Sequence, residues 1–395
     1  MRNVKVNIQP CKLEGAVTPP SSKSQAHRAV LALMLARGEG CLSNLSVSQD
    51  IHATQDCAAA LKSGRPAGED GLPLLNCGES GSTLRFLIPV ALALRGGGHF
   101  TGRGRLMERP QGPYLQLFRE KGIGWERKGA WLTVSGRLEP GVYALPGDVS
   151  SQFITGLLYA LPLLPGESRI VLTTPLESRG YVDMTLEMLR QFGVAVEERE
   201  DGFLVPGRQT YQARALTLEA DWSQAAFWYA ANFLGSNVTI EGLNPRSVQG
   251  DRAVAAFYWK LARPGDVELD VSQYPDLVPP LAAMAAVRRG TARLTNAARL
   301  RMKESDRLAS VTAALAALGA EVAEGEDSLT IRGLEHLAGG GVVDSQNDHR
   351  IAMMAAVAAV ACEKPVILEG AECVAKSYPE FWDHYQTLGG RVNVL

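Results

Sequence analysis

One turn pattern recurs six times along the chain. An apolar strand end runs into Gly, Asn or Thr and then an irregular polar loop, at Leu42, Phe100, Leu172, Ile240, Leu294 and Leu368, with successive spacings of 58, 72, 68, 54 and 74 residues. A recurrence on this scale decides architecture before local propensity is consulted, because a single copy cannot cover its own apolar face and must associate with others. Each turn is followed by an amphipathic stretch that ends near a glycine, as in MTLEMLRQFG, SVTAALAALG and FWDHYQTLGG. Hairpins are legible as WERKGAWLTVSG, VEEREDGFLVPG and VAEGEDSLTIRG, where alternating residues flank a Gly- or Asp-containing turn. Copies one and four show no such hairpin; LKSGRPAGEDGLPLLN and WKLARPGDVELDVS stand in its place, which accounts for the two short spacings.

Before each turn lies a second helical stretch that is apolar on all sides: SKSQAHRAVLALMLA, GSTLRFLIPVALAL, SSQFITGLLYALPLL, DWSQAAFWYAANFLG, PDLVPPLAAMAAV and DHRIAMMAAVAAVAC. Such a helix belongs in a domain centre. The repeat therefore reads helix, strand, helix, strand, strand. Six copies divide into two lobes of three, residues 1–20 with 219–395 and residues 21–218, an α/β (α+β) fold in which two repeats are shortened.

Composition narrows the function. With 46% hydrophobic and 21% charged residues, and 40 Lys+Arg against 42 Asp+Glu, this is a globular protein without the basic surplus of a nucleic-acid binder. The longest apolar run, Ile351 to Cys362, is shorter than the ~18 residues of a membrane span, and the N-terminus has no apolar core of signal-peptide type, so the expected location is the cytoplasm. Six cysteines without a CxxC pair suggest neither zinc nor a disulfide framework, and six histidines without HxH or HExxH spacing give no support for a metal.

Cationic residues cluster at the starts of the buried helices and in the loops after the turns: Lys23, Arg28, Arg85, Arg109, Lys303, Arg307, Arg350 and Lys376. Helix N-termini favour anions, and Lys or Arg beside them adds charge-assisted hydrogen bonds, so the expected ligand is polyanionic. Most Lys and Arg are solvated surface charges; those inside SKSQAHR and NDHRIAM adjoin sequence that must be buried. CGESGSTLRF places Gly78 and Gly81 among hydroxyl residues at a helix start, a cradle for phosphate or carboxylate, but it lacks the GK[ST] ending of a nucleotide loop. Among these cations Asp276 and Glu304 are candidates for a general base and acid, or else for structural ion pairs.

PPSSKSQAHR, NCGESGSTLRF, MERPQG, GDVSSQF, ESRGYVDMT, YPDLVPP, RMKESDR, NDHRIAM and AKSYPEF, in this order along the whole chain, resemble the 5-enolpyruvylshikimate-3-phosphate synthase family. The resemblance implies an inside-out, barrel-like fold of two domains, with the N-terminal strand joining the C-terminal lobe. It also implies transfer of the enolpyruvyl group of phosphoenolpyruvate to the 5-hydroxyl of shikimate 3-phosphate, without metal or cofactor, by a monomer. Matching residue by residue, shikimate 3-phosphate would be held by Lys23, Ser24, Arg28, Ser150, Ser151, Gln152, Ser178, Asp276 and Lys303, with Tyr181 beside the ring. Phosphoenolpyruvate would be held by Lys23, Gly81, Arg109, Gln152, Arg307, Arg350 and Lys376. Asp276 would take the hydroxyl proton, Glu304 would protonate the methylene carbon, and Lys23 would bridge both substrates. Glyphosate is the expected anionic inhibitor. Glu79 stands where many members carry Asn. The sister transferase acting on UDP-N-acetylglucosamine is the rival reading, although no cysteine lies between Cys77 and Cys362 to match its reactive loop. A non-catalytic descendant is the other, suggested by the two shortened copies.

Overall fold

The computed structural model describes residues 4–64 and 68–395. Residues 1–3 of the first lobe range, and 65–67 within LKSGRPAGEDGLPLLN, lie outside the described residues. The chain separates into two compact units, Met1–Ser22 with Glu219–Leu395, and Lys23–Leu218. Each has its own hydrophobic core.

Every copy supplies one inner and one outer helix. In the unit Lys23–Leu218 these are α1 (Lys23–Leu35) and α2 (Gln49–Ser63), α3 (Gly81–Arg95) and α4 (Gly112–Glu120), and α5 (Ser151–Ala160) and α6 (Arg179–Gln191). The other unit has α7 (Trp222–Phe233) and α8 (Val254–Ala262), α9 (Val278–Ala285) and α10 (Arg307–Ala317), and α11 (His349–Ala358) and α12 (Phe381–Thr387). All residues of α9 and α11 are buried, as an all-apolar helix requires, and α7, α9 and α11 pack on one another. Outer helices show one buried face; α6 buries Val182, Met184, Thr185, Met188 and Leu189 and ends at Gly193, whose φ of +77° only glycine adopts at little cost. The α3–α5 crossing is so close that a Cβ on Gly156 would lie 2.5 Å from the Arg85 carbonyl oxygen and 3.0 Å from Cγ of Pro89.

The sheets revise the expected repeat. In copy two, Leu74–Asn76 runs parallel to Gly97–Thr101, which pairs antiparallel with Trp131–Ser135, and that strand with Gly124–Lys128. The same order recurs from Val142–Leu145 in copy three and from Val267–Asp270 in copy five. The repeat is thus strand, helix, strand, helix, strand, strand: a parallel strand precedes the inner helix. These leading strands are three or four residues long, too short for alternation to show. Two of them, Leu74–Asn76 and Val267–Asp270, lie within the stretches read as hairpin replacements and belong to the sheets of the following copies.

Copy six builds its hairpin from both chain ends, with Lys5–Gln9 pairing between Val366–Glu369 and Arg391–Val394. In copies one and four the sheet has two strands among the described residues, and the leading strands are exchanged. Glu14–Val17 precedes α1 yet pairs with Asn237–Ile240 after α7; Ala215–Thr217 precedes α7 yet pairs with Cys41–Ser43 after α1. A further short parallel pair joins Leu337–Gly339 to Cys362–Lys364.

Candidate active site

In the unit Lys23–Leu218, functional side chains gather at inner-helix starts. Lys23 opens α1 and its Nζ lies 2.9 Å from Oδ2 of Asp50 on α2. Arg28, one turn on, is buried; it donates to Oγ1 of Thr185 at 2.8 Å, the Tyr181 carbonyl at 2.8 Å and the Ser24 carbonyl at 2.6 Å. Burial lowers its pKa to about 10, opposed by Tyr159 and Tyr181. Most of its N–H groups are therefore spent on the protein, which ties α1 to α6 and holds Ser24 and Tyr181 in place.

Ser80 caps α3 by accepting from Thr83 N at 3.1 Å, so Gly81 is the first helical residue. A Cβ there would sit 2.8 Å from Nη1 of Arg109 and 3.5 Å from Oε1 of Gln152, which brings Gly81, Arg109 and Gln152 together. Gln152 donates to Oγ of Ser82 at 2.9 Å and accepts from Nη1 of Arg85 at 2.8 Å. Arg85 also donates to the Pro110 carbonyl at 2.9 Å and lies over the Phe153 ring at 4.7 Å. Ser150 caps α5, ahead of buried Ser151, and buried Ser178 precedes α6 at a φ of +54°, a conformation a serine holds only where its surroundings enforce it.

In the other unit one guanidinium organises the acids. Arg307 is 1% exposed and donates from Nη1 to Oδ1 of Asp276 at 2.8 Å, from Nη2 to Glu304, and from Nε to Oδ2 of Asp348 at 2.8 Å. Oδ2 of Asp276 also accepts from Nη2 of Arg350 at 3.0 Å, and Lys303 Nζ lies 3.7 Å from Oδ1. Burial alone would raise the Asp276 pKa, but Arg350, Lys303 and Arg307 outweigh it and hold the carboxyl well below its ordinary value. Burial, opposed by Asp276, brings Lys303 down to about 8, while three carboxylates overcome burial and push Arg307 up. Asp348 is fully buried; it caps α11 by accepting from Arg350 N at 3.0 Å. Lys376 is 4% exposed and donates to the Asn347 carbonyl at 2.6 Å. Lys303, Arg307 and Arg350 thus surround Asp276, with Glu304 and Asp348 on Arg307, while Lys376 is held at the Asn347 carbonyl.

All the expected site residues fall into these two groups, Lys23, Ser24, Arg28, Gly81, Arg109, Ser150, Ser151, Gln152, Ser178 and Tyr181 in one and Asp276, Lys303, Glu304, Arg307, Arg350 and Lys376 in the other. Sequence reasoning missed Asp50, which pairs with Lys23, and Asp348; it placed Arg85 among the cations without its bond to Gln152. The Asp348 signal was present, since an acid directly ahead of an apolar helix is an N-cap pattern. Nothing in the sequence marked Asp50.

Two solved structures share this architecture. The chain superimposes on an EPSP synthase from Acinetobacter baumannii with a TM-score of 0.80 at 24% identity, covering 99% of this chain and 100% of that one. The enolpyruvyl transferase NikO from Streptomyces tendae gives 0.74 at 16% identity, with 99% and 98% covered. The fold is therefore that of the enolpyruvyl transferases. Residues 8–385 match the family model of EPSP synthase (3-phosphoshikimate 1-carboxyvinyltransferase), and the chain belongs to that family. Relatives named 3-phosphoshikimate 1-carboxyvinyltransferase agree: that of Clostridium kluyveri is 44% identical over 98% of both chains, and that of Clostridium novyi 41% identical over 100% of this chain and 99% of its own.

Proposed function

We propose that this chain transfers the carboxyvinyl group of phosphoenolpyruvate to the 5-hydroxyl of shikimate 3-phosphate, with release of phosphate, and that the residues assembled above carry it out. The hydroxyl oxygen bonds to C2 of phosphoenolpyruvate as the methylene carbon gains a proton; the tetrahedral adduct then loses a methyl proton and its phosphate to leave the enol ether. The observation that carries this reading is the sharing of Arg307 by Asp276 and Glu304. Two acids on one guanidinium suit a reaction that must remove one proton and deliver another.

Asp276 takes the hydroxyl proton. Its carboxyl is kept charged by Arg350, Lys303 and Arg307, so it is an acceptor across the neutral range, and it becomes a better one as substrate anions compete for those cations. Glu304 delivers the proton to the methylene carbon. The shikimate phosphate is received by Ser150, Ser151 and Ser178, with the α5 N-terminus adding its dipole and Lys303 its charge. Ser24, Arg28, Gln152 and Asp276 fix the ring and its carboxylate, and Tyr181 packs beside the ring. Phosphoenolpyruvate is bound by Lys23, Gly81 through its backbone, Arg109, Gln152, Arg307, Arg350 and Lys376, and Lys23 touches both substrates. The assignment gives 21–218 to the shikimate phosphate and 1–20 with 219–395 to the proton transfers.

No helix among the described residues is long and apolar enough to cross a membrane. We place the reaction in the cytoplasm, performed by a single chain, which sedimentation would check. The deciding assay measures phosphate release from phosphoenolpyruvate with shikimate 3-phosphate and, separately, with UDP-N-acetylglucosamine. Turnover with the first alone is expected. Turnover with the second alone overturns the substrate, and none with either overturns the activity.

A further inference from the structure

Arg350 and Lys376 come from different elements, the start of α11 and the end of the 3-10 segment Ala371–Lys376. A pair of cations receives a ligand with two anionic groups only if their separation is held, and long side chains do not hold it by themselves. The first turn of α7 touches Arg350 itself and Ser377, the residue after Lys376. Ser223 Oγ accepts from Nη2 of Arg350 at 3.1 Å and donates to Oδ1 of Asp221 at 2.7 Å. The next residue, Gln224, donates from Nε2 to Oγ of Ser377 at 2.6 Å, one residue beyond Lys376. Asp221 Oδ1 also accepts from the backbone N–H groups of Ser223, at 2.7 Å, and Gln224, at 3.1 Å, so the turn itself is fixed. Asp221, Ser223, Gln224 and Ser377 are all buried, and none is among the residues assigned to substrate.

Gln224 is 1% exposed, between Ser223 and the apolar run Ala225–Trp228, and its Oε1 has no hydrogen-bond partner among the described residues. A half-satisfied amide is unfavourable in such a place, so packing alone does not account for a glutamine there. What the side chain contributes is the bond to Ser377.

We propose that Ser223 and Gln224 are positioning residues that set the separation of the Arg350 guanidinium and the Lys376 ammonium, and hence the fit of phosphoenolpyruvate. The proposal rests on the reading that both cations bind phosphoenolpyruvate. Ser223 acts through the guanidinium it touches, and Gln224 through the backbone that carries Lys376.

The test is a double-mutant cycle in the full chain. Gln224→Met keeps the volume and removes the bond; it should raise KM for phosphoenolpyruvate roughly tenfold or more, while the Kd of shikimate 3-phosphate changes by less than about twofold. Ser377→Ala, which removes the acceptor of the same bond, should raise the same KM. In a Lys376→Ala background Gln224→Met should add little, because the group it positions is gone. Ser223→Ala should raise the same KM and decides the question if Gln224→Met does not fold. The proposal is overturned if the variants that fold keep the wild-type KM, if both substrates weaken in proportion, or if the two effects of the cycle simply add. Wild-type turnover is the control: its absence removes the parent reading, whereas an active wild type with an unchanged KM in folded variants removes only the role of the α7 turn.

Discussion

Asp276 carries the charge balance of the proposed chemistry, since it binds Arg307 and Arg350 at once. Asp276→Asn and Glu304→Gln should each lower kcat by about two to four orders of magnitude with shikimate 3-phosphate binding largely retained, measured as phosphate release beside calorimetric titration. Gly81→Ala makes a steric prediction. The new Cβ would sit 2.8 Å from Nη1 of Arg109, so the guanidinium must move, and KM for phosphoenolpyruvate should rise while the constants for shikimate 3-phosphate hold. Glyphosate should lose more than the shorter substrate does, and equal inhibition constants in the two proteins would count against this geometry. Lys303 supplies a pH dependence. Its pKa of about 8 lies below the ordinary 10.5, so an anionic ligand gains a full charge partner below about 8 and loses it as pH rises. The Kd of shikimate 3-phosphate should therefore increase from pH 7 to 9, and Lys303→Met should flatten that slope. For folding the sign is opposite: between about 8 and 10.5 the unfolded chain holds the proton more tightly, so this group's penalty is relieved as pH rises through that window.

The α3–α5 crossing and the sheet edges show how elements share the work. Gly156→Ala would press a Cβ against the Arg85 carbonyl and the Tyr114 hydroxyl, and Arg85 holds Gln152. A loss of about 1 to 3 kcal/mol in a denaturant titration is expected, with weaker phosphoenolpyruvate binding alongside it. The two-stranded sheets of copies one and four have fewer neighbours to protect them than the four-stranded ones. Amide exchange should therefore be faster in Cys41–Ser43 and Asn237–Ile240 than in Gly97–Thr101 or Thr291–Thr295; uniform protection would contradict this. Helices were legible in advance because each carries ten or so residues of apolar pattern and most end at a glycine. Leading strands such as Leu74–Asn76 were not, since three residues contain no period and their pairing partner lies past the whole of α3.

At the scale of the molecule, the exchanged strands make the units unequal. Lys23–Leu218 is continuous and contains both partners of each of its strand pairs, whereas Glu219–Leu395 depends on Lys5–Gln9 and Glu14–Val17 from the other end of the chain. A fragment spanning 23–218 should fold alone with a cooperative thermal transition followed by circular dichroism; one spanning 219–395 should not, and a cooperative transition in it would refute the dependence. The number of copies, the six inner and six outer helices, the two shortened sheets and the cations at helix starts were all determined by the sequence itself, because periodicity, glycine stops and helix-start chemistry act within a dozen residues. The tertiary structure alone decided which strands pair. It also alone brought Asp276, Glu304, Arg307 and Asp348 together, set Asp50 against Lys23, and laid the α7 turn beside Arg350 and Ser377. The Gln224–Ser377 bond joins residues 153 positions apart, and at such a separation only the packing of whole elements, never local pattern, fixes which side chains meet.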